Sequence, residues 1–325
     1  MFSVIFRQFL ILLMSLFTLT LFTFGLTQFF PADTILHSSA IDMSDYHLFE
    51  KYIFYIGHIL QGNWGTSLTT GNSVLNEFLQ LFPATLELVI VALLMALVLG
   101  IPLGVFAAEN KNKWQDKLVI SSTLVGYSMP IFWWGMLLVL LFSLTLDIMP
   151  VASRIGFEYD ILPVTGFMLI DTLLSKQPYA YEAFVNAIHH LILPTIVLAT
   201  IPIAIFARIT RSAMIDALSS DYIRSAKAKG LPYSRIIWLH ALRNAMIPIV
   251  TIIGLQTSVL ITGTLITETI FSWPGIGKWL LEAVYRRDLM IIHGGLLSIA
   301  SLVIVINILV EISIYLLNPK LRLDR

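Results

Sequence analysis

The sequence predicts an all-α, polytopic membrane protein with six transmembrane helices. Of its 325 residues, 57% are hydrophobic and only 12% are charged, and the mean hydropathy is +0.85. Soluble domains contain about 45–50% apolar and about 25% charged residues, so this composition lies outside the soluble range. The chain has no cysteine, which excludes disulfides, thiolate metal sites and a thiol nucleophile.

Six apolar segments are long enough to cross the bilayer core, which takes about 20 residues. They cover residues 9–29, 88–108, 118–146, 191–207, 245–271 and 291–317. The first follows Arg7 as a signal peptide would, but its apolar run exceeds the usual h-region of about 7–15 residues. No A-x-A cleavage site follows it, so we expect a retained helix. The run from Phe167 to Leu174 is too short to span, and we expect it along the membrane surface or against external loops.

The distribution of Lys and Arg predicts the orientation. With the N-terminus inside, 14 of the 20 cationic residues fall on the inner side of the membrane. The positive-inside rule therefore predicts that both termini lie in the cytoplasm. The predicted organisation is an N-terminal transmembrane helix (1–30), an extracytoplasmic loop region (31–82), a transmembrane domain (83–317) and a cytoplasmic tail (318–325).

The predicted external loop region carries acidic side chains that face either a soluble delivery protein or solvent alone. These are Asp33, Asp42, Asp45 and Glu50.

A basic stretch from Ser219 to Pro248 has the sequence of a helix, a corner and a second helix. Ser219, Ser220 and Asp221 are N-cap residues, and Tyr222 to Lys229 can form two turns that end in cations. Gly230 is suited to the left-handed conformation that ends a helix, and Pro232 is suited to open the next one. The second helix would carry Arg235, Trp238, His240, Leu242 and Arg243 toward the membrane. The small residues Ala226 and Ala228 would let the first helix lie against a partner's groove.

This stretch resembles the cytoplasmic coupling loop, or EAA loop, of ABC-transporter permeases. Its form, DYIRSAKAKG followed by HALRNAMIP, is similar to that of the dipeptide/oligopeptide permease family. Further similar motifs run along nearly the whole chain: GNWGTS at 62–67, PATLEL at 83–88, GIPLGVFAA at 100–108, MPIFWWG at 129–135, HLILP at 190–194 and ETIFSWPGIGKWL at 268–280. KWQDKL at 113–118 and LPVTGFMLIDTLLS at 162–175 most resemble the Sap subgroup, which handles antimicrobial peptides. The EAA position itself holds Arg224-Ser225-Ala226.

The resemblance implies the type I ABC importer permease fold and the first, B-type, subunit of a peptide transporter in the bacterial inner membrane. It also implies four kinds of partner: a second permease subunit, two cytoplasmic ABC ATPases, a periplasmic solute-binding protein and membrane lipid, with no nucleic acid. ATP and Mg would be used by the ATPases, and this chain would bind no cofactor and no metal. The residues implied in ATPase coupling are Asp221, Tyr222, Arg224, Ala226, Ala228, Lys229, Gly230, Leu231 and Pro232.

Two glutamates near the outer ends of predicted spans are candidate gate or pathway residues. A carboxylate inside a membrane costs about 2.5–3.5 kcal/mol on insertion scales, so Glu87 and Glu268 either sit at the interface or face a cavity. Glu268 lies one turn before Ser272-Trp273-Pro274-Gly275, which should end its helix. Trp273 and Pro274 are therefore candidate parts of an outer gate. Trp273 alternatively serves as an interfacial anchor.

The chain lacks the motifs of an enzyme. No G-x-x-x-x-G-K-[ST] loop is present, so we expect ATP to be hydrolysed by partner subunits. Two other functional classes remain open: a non-ABC secondary transporter, which would need ion-coupling groups and often shows inverted repeats, and a membrane scaffold. Within the transporter class, polyamine or haem cargo is an alternative to peptides.

Overall fold

The computed structural model describes residues 2–29 and 47–317, and confirms the all-α class. The helices are α1 (Phe2–Phe29), α2 (Leu48–Leu60), α3 (Val74–Glu109), α4 (Trp114–Ser128), α5 (Ile131–Thr145), α6 (Met168–Leu174), α7 (Ala180–Leu218), α8 (Asp221–Ala228), α9 (Tyr233–Ile270), α10 (Ile276–Arg286) and α11 (Leu289–Leu317). In this part of the chain the β structure is an isolated bridge between Thr66 and Ser73.

Among the described residues, five helices are long and apolar enough to cross a membrane, and a bent pair gives up to six spans. The candidate spans are Phe9–Leu26, Val74–Glu109, Ala180–Leu218, Tyr233–Ile270 and Leu289–Val310, with α4 and α5 as the bent pair. All six predicted segments are therefore helical. Helices α3 and α7 contain 36 and 39 residues, so they extend well beyond the apolar runs that predicted them.

The third predicted span, residues 118–146, is not one straight helix. It is broken at Met129 and Pro130, where α4 and α5 meet at an angle of 101°. Pro130 lacks a backbone N–H and its ring excludes the preceding residue from the helical region. Met129 accordingly has extended backbone angles, φ −77° and ψ 129°. Pro130 predicts an interruption of the helix, but it does not predict the angle, because a single proline is compatible with a mild kink as well as with this sharp bend.

The predicted boundary at residues 82 and 83 falls inside a helix, because α3 already begins at Val74. Part of the predicted external loop region is ordered as helix α2, whose Glu50 side chain accepts a 2.9 Å hydrogen bond from the His47 N–H. The other acidic residues of that region, Asp33, Asp42 and Asp45, lie outside the described residues.

The described chain forms two compact units. The first comprises the chain up to Glu87 with Ser153–Ala187 and Ser272–Ile308, and the second comprises Leu88–Ala152, Ile188–Phe271 and the residues from Leu309. In the first unit, α2 packs on α1 through Tyr52 and Tyr55, whose hydroxyls lie 2.9 Å from those of Thr20 and Thr23. These pairs satisfy polar groups next to an apolar core.

In the first unit, the buried carboxylate of Asp288 ties the loop before α3 to the start of α11. It accepts hydrogen bonds from Ser67 Oγ at 2.7 Å, Thr69 Oγ1 at 2.9 Å and the Ile291 N–H at 3.2 Å. Burial acts to raise the pKa of Asp288, but these hydrogen bonds outweigh it and the pKa is lowered. The carboxylate therefore stays charged and fixes the loop.

In the second unit, two glycines bring the backbones of α3 and α7 into direct contact. A Cβ at Gly100 would lie 2.8 Å from Phe206 Cβ, and one at Gly104 would lie 2.5 Å from the Ala207 carbonyl oxygen. Real Cβ atoms do not approach so closely, so a larger residue would separate the helices. This GxxxG pair serves packing within the chain.

A buried ion pair holds the start of α4 against α7. Asp116 accepts hydrogen bonds from Arg211 Nε at 2.5 Å and from Arg211 Nη2 at 2.6 Å, and it also accepts the Asn112 N–H at 2.9 Å. The Asp116 side chain is 3% exposed, whereas the Asp221–Arg224 pair on α8 is 94% and 79% exposed. The same two residue types thus form one buried and one solvated pair.

This contrast predicts different effects on stability. Asp116→Ala should lower the melting temperature of the detergent-purified transporter markedly, because removing one partner of a buried pair costs about 3–5 kcal/mol. Asp221→Ala, the matched control, should change it little, because exposed pairs contribute about 0–1 kcal/mol. Equal melting temperatures for the two variants would contradict the structural role of the buried pair.

Candidate functional site

The predicted helix, corner and second helix are all present. Helix α8 spans Asp221–Ala228, with Asp221 in its first turn and Lys227 in its last. This arrangement of charges is favourable with respect to the helix dipole. The N-cap residue is Ser220, but its hydroxyl does not cap the helix as predicted and donates instead to the Ala217 carbonyl oxygen of α7. The Ser220 hydroxyl is therefore bonded to the end of α7 and does not cap α8.

The corner depends on the backbone of Gly230. Its φ of +73° is left-handed, and its N–H donates to the Lys227 carbonyl oxygen at 3.0 Å. The next N–H, of Leu231, reaches the Ala226 carbonyl oxygen at 3.4 Å. These two bonds terminate α8 in the manner of a glycine C-cap. A Cβ built on Gly230 would meet no atom within 4 Å, so conformation and not space selects glycine here.

Pro232 was predicted to be the first residue of the second helix, but it precedes that helix by one position. It is the residue before α9, with φ −63° and ψ 141°, and the first helical residue is Tyr233. From there α9 is helical to Ile270 and contains a π-helical turn at Ile236–Ala241. The second helix of the motif is therefore continuous with a candidate span.

The inner face of α8 is anchored in the core of the second unit. Ile223 is 0% exposed and Ala226 is 8% exposed. Their cluster draws on three span helices: α3 contributes Val105 and Ala108, α7 contributes Met214, and α9 contributes Ile236, Ile237, Ala241 and Ala245. The prediction that Ala226 faces a partner's groove is wrong, because the side chain packs inside the chain. Of the two alanines, Ala228 alone is exposed.

The outer face of α8 and its corner is exposed and basic. Among the predicted coupling residues, the exposed ones are Asp221, Tyr222, Arg224, Ala228, Lys229, Gly230 and Pro232, and Leu231 is half-buried. Lys227 is a further exposed cation on α8, and Arg235 is an exposed cation just after the corner. We call residues 221–232 the coupling surface. Its one carboxylate, Asp221, lies 3.4 Å from Arg224, so positive charge is in excess.

Glu87, Arg154 and Trp273 form a second cluster, in the first unit. Arg154 Nη2 donates to Glu87 at 2.5 Å and to the Gly166 carbonyl oxygen at 3.0 Å, and its guanidinium lies 5.5 Å from the ring centroid of Trp273. Glu87 also accepts the Leu169 N–H at 2.9 Å. Glu87 is 4% exposed, so its charge is compensated within the chain.

The breaker after α9 ends that helix as predicted. Helix α9 stops at Ile270, and Ser272 has a left-handed φ of +46°. Trp273 is 1% exposed and its indole N–H donates to the Ala84 carbonyl oxygen at 2.9 Å, whereas Pro274 is exposed. Glu268 is 0% exposed and belongs to the second unit, whereas Glu87, Trp273 and Pro274 belong to the first.

Arg154 and Ile223 were not predicted as site residues from the sequence. Nothing in the sequence around Arg154 connects it to a carboxylate 67 residues earlier. The position of Ile223, between charged residues of a short helix, was the available indication of an inward face. Within the described residues, no group of three His, Cys, Asp or Glu side chains could hold a metal ion.

Comparisons with known proteins identify the family. Residues 100–323 match the model of the binding-protein-dependent transport system inner membrane component. The chain is 48% identical to the di/tripeptide transport system permease protein DppB of Pseudomonas aeruginosa, over 100% of both chains. It is 42% identical to the dipeptide transport system permease protein DppB of Escherichia coli, over 94% of both chains.

The more specific prediction of a Sap-type chain is not supported. The putrescine export system permease protein SapB of Escherichia coli is 37% identical, over 96% of this chain and 95% of SapB. It is less similar than either dipeptide permease, so the short Sap-like motifs at 113–118 and 162–175 did not indicate the subgroup. The full-length matches nevertheless agree with the family model, and the chain therefore belongs to the binding-protein-dependent transport system inner membrane components, as a multi-pass permease subunit.

Proposed function

We propose that this chain is the permease subunit of an ATP-driven transporter that moves di- and tripeptides across the inner membrane. The observation that carries the proposal is the two-sided environment of α8. Ile223 and Ala226 are packed among three candidate span helices, whereas the opposite face is exposed. A helix held in this way can be contacted by a partner and can transmit the contact to the spans. The similarity to di/tripeptide permeases supports the substrate class.

The anchoring suggests how motion would be transmitted. The Ile223 cluster joins the ends of α3, α7 and α9, so displacement of α8 would act on all three together. A close-packed apolar core deforms little, which favours rigid movement over local yielding. We infer that closure of the ATPases displaces the coupling surface and that access to the pathway alternates as the spans rock.

The proposed assembly follows from the family. A second permease would complete the pathway, two cytoplasmic ATPases would contact the coupling surface and use ATP and Mg, and a periplasmic binding protein would deliver substrate. Both termini would be cytoplasmic, as the excess of Lys and Arg on that side supports. The excess of cations on the coupling surface favours an acidic groove on the ATPase.

Polyamine transport is the second candidate function. It is favoured by the 37% identity to a putrescine export permease. Uptake assays that compare a labelled dipeptide with labelled putrescine distinguish the two. Transport of putrescine without transport of dipeptides would contradict the peptide proposal.

We also propose that the cluster around Arg154 contributes to an outer gate, and separately that Glu268 is a gate or pathway residue. The support is a set of charged side chains beside the helix breaker. Glu87 is paired with Arg154, whose guanidinium lies over the Trp273 ring. The ring of the adjacent Pro274 fixes the backbone angle φ at that position. Glu268 is fully buried in the second unit near the end of α9. Buried ionisable groups at a span end are rare unless they serve packing or function.

Substitution of Gly230 tests the coupling corner. We expect Gly230→Val to abolish peptide-stimulated ATP hydrolysis and uptake in proteoliposomes, because a β-branched residue does not adopt a φ of +73° without strain. Gly230→Asn is the matched control, since Asn tolerates the left-handed region. It should retain most of the activity, and a Cβ there has free space.

If the valine variant inserts, assembles and couples as well as the asparagine variant, the corner has no part in transmission. Uptake without any ATP requirement in the wild type would instead favour a secondary transporter.

The absence of cysteine allows a direct test of orientation. Lys229→Cys and Asp160→Cys each introduce a single exposed thiol, at opposite ends of α7 along the chain. In intact cells with a permeabilised outer membrane, a membrane-impermeant maleimide should label the cysteine at 160 and not the one at 229. Inside-out vesicles should give the reverse pattern. Labelling of position 229 in intact cells would contradict a cytoplasmic coupling surface.

Neutralising substitutions test the outer gate. Glu87→Gln should impair uptake and raise basal ATP hydrolysis, because it leaves the largely enclosed Arg154 without its carboxylate. Glu268→Gln should do the same if both carboxylates serve the gate. Glu282→Gln, an exposed carboxylate on α10, is the control and should behave as wild type. Wild-type uptake and ATP hydrolysis in both buried variants would leave these residues with a packing role alone.

A further inference from the structure

Residues 153–166 form an irregular loop with three strongly exposed apolar side chains, and we call it the apolar loop. Phe157 is 100% exposed, Leu162 is 75% exposed and Val164 is 73% exposed. Phe, Leu and Val are among the residues most often buried in proteins. An aromatic side chain that projects entirely from the surface, with two aliphatic neighbours along the chain, marks a surface that another molecule covers.

The apolar loop is fixed at its start by contacts from other parts of the first unit. Arg154 bonds Glu87 and the Gly166 carbonyl oxygen, so both ends of the loop share one guanidinium. The N–H of Gly156, next to Phe157, donates to Asn186 Oδ1 of α7 at 2.8 Å. The residues on the N-terminal side of Phe157 are therefore anchored.

The C-terminal side is fixed as well. The rings of Tyr159 and Tyr179 are 5.7 Å apart, and Tyr179 Oη donates to the Asp160 carbonyl oxygen at 3.2 Å. Asp171 accepts the N–H and the hydroxyl of Thr165, both at 2.7 Å. Burial acts to raise the pKa of Asp171, but these hydrogen bonds outweigh it and the pKa is lowered. Phe157 thus projects from a preformed loop, which reduces the entropy lost on binding.

The hydrocarbon core of a bilayer does not suit the apolar loop. Residues 153–167 have no helix or strand, and their backbone polar groups could not be satisfied in lipid. The residues that follow Phe157 include the exposed carboxylates of Glu158 and Asp160. A chain that buried Phe157 in hydrocarbon would carry these charges with it.

The exposed charge around Phe157 is negative. Between Ser153 and Ala187, the exposed acidic residues are Glu158, Asp160 and Glu182, and the exposed cation is Lys176. The Arg154 side chain is only 11% exposed and is already paired with Glu87. The complementary surface is therefore an apolar pocket with a basic rim, and a soluble protein provides such a surface.

We propose that the apolar loop is the docking site for the soluble binding protein of this transporter, with Phe157 as the anchor in an apolar pocket rimmed by Lys or Arg. The inference rests on the proposed function, because the family depends on a binding protein. It is consistent with the chain order, since the loop and the coupling surface lie beyond opposite ends of α7.

The test measures the affinity of the assembled transporter for its own purified binding protein. The probe is that protein loaded with a dipeptide, titrated against the transporter in nanodiscs while ATP hydrolysis is recorded. Phe157→Ser should raise the concentration for half-maximal stimulation about tenfold or more, as expected for an aromatic anchor, and saturating binding protein should restore the rate. Phe157→Tyr should stay close to wild type. Leu60→Ser is the matched control, because Leu60 is 81% exposed outside the loop.

A photoreactive benzoylphenylalanine at position 157 identifies the occupant directly. We expect a covalent product with the binding protein, whereas a product with lipid or with the second permease would overturn the docking proposal. An unchanged titration for Phe157→Ser would also overturn it. In that case a normal response in the wild type leaves the proposed function intact. A wild-type transporter that the binding protein fails to stimulate would contradict both proposals.

Discussion

The close approach of α3 and α7 is the constraint on which the anchoring of α8 depends. Gly100 and Gly104 leave no Cβ between the helices, so the α3 backbone rests on Phe206 and Ala207. This contact brings the end of α3 beside Met214 of α7, and there the two helices form the floor for Ile223. A side chain at either glycine would move that floor, although neither glycine touches α8.

Helix α8 has only two turns, and it has one buried face and one exposed face. Ile223 and Ala226 are three positions apart and point to the core, while the remaining positions of the helix are exposed. Gly230 then allows the chain to turn directly into α9 without a long loop. The result is a short element with little freedom relative to the spans, which suits it to transmit a push from a partner.

Local features of the fold were predictable from the sequence, and long-range pairings were not. Apolar run length predicted the spans, and Gly230 predicted the corner, because each depends on a few adjacent residues. The 101° bend at Pro130 exceeds what a proline alone specifies. The pairs Arg154–Glu87 and Arg211–Asp116 join residues 67 and 95 positions apart, and nothing in the local sequence selects these partners. The inward orientation of Ala226 likewise depends on the three helices that surround it.

The length of α7 has a consequence for how this chain can vary. At 39 residues and about 1.5 Å of rise per residue it measures about 58 Å, roughly twice the hydrocarbon thickness of a bilayer. Each residue also advances the helix by about 100°, so inserting or deleting one would turn everything beyond it by that angle. Loops elsewhere can absorb such changes. Within α7, insertions and deletions should therefore be tolerated only where they preserve the helical phase.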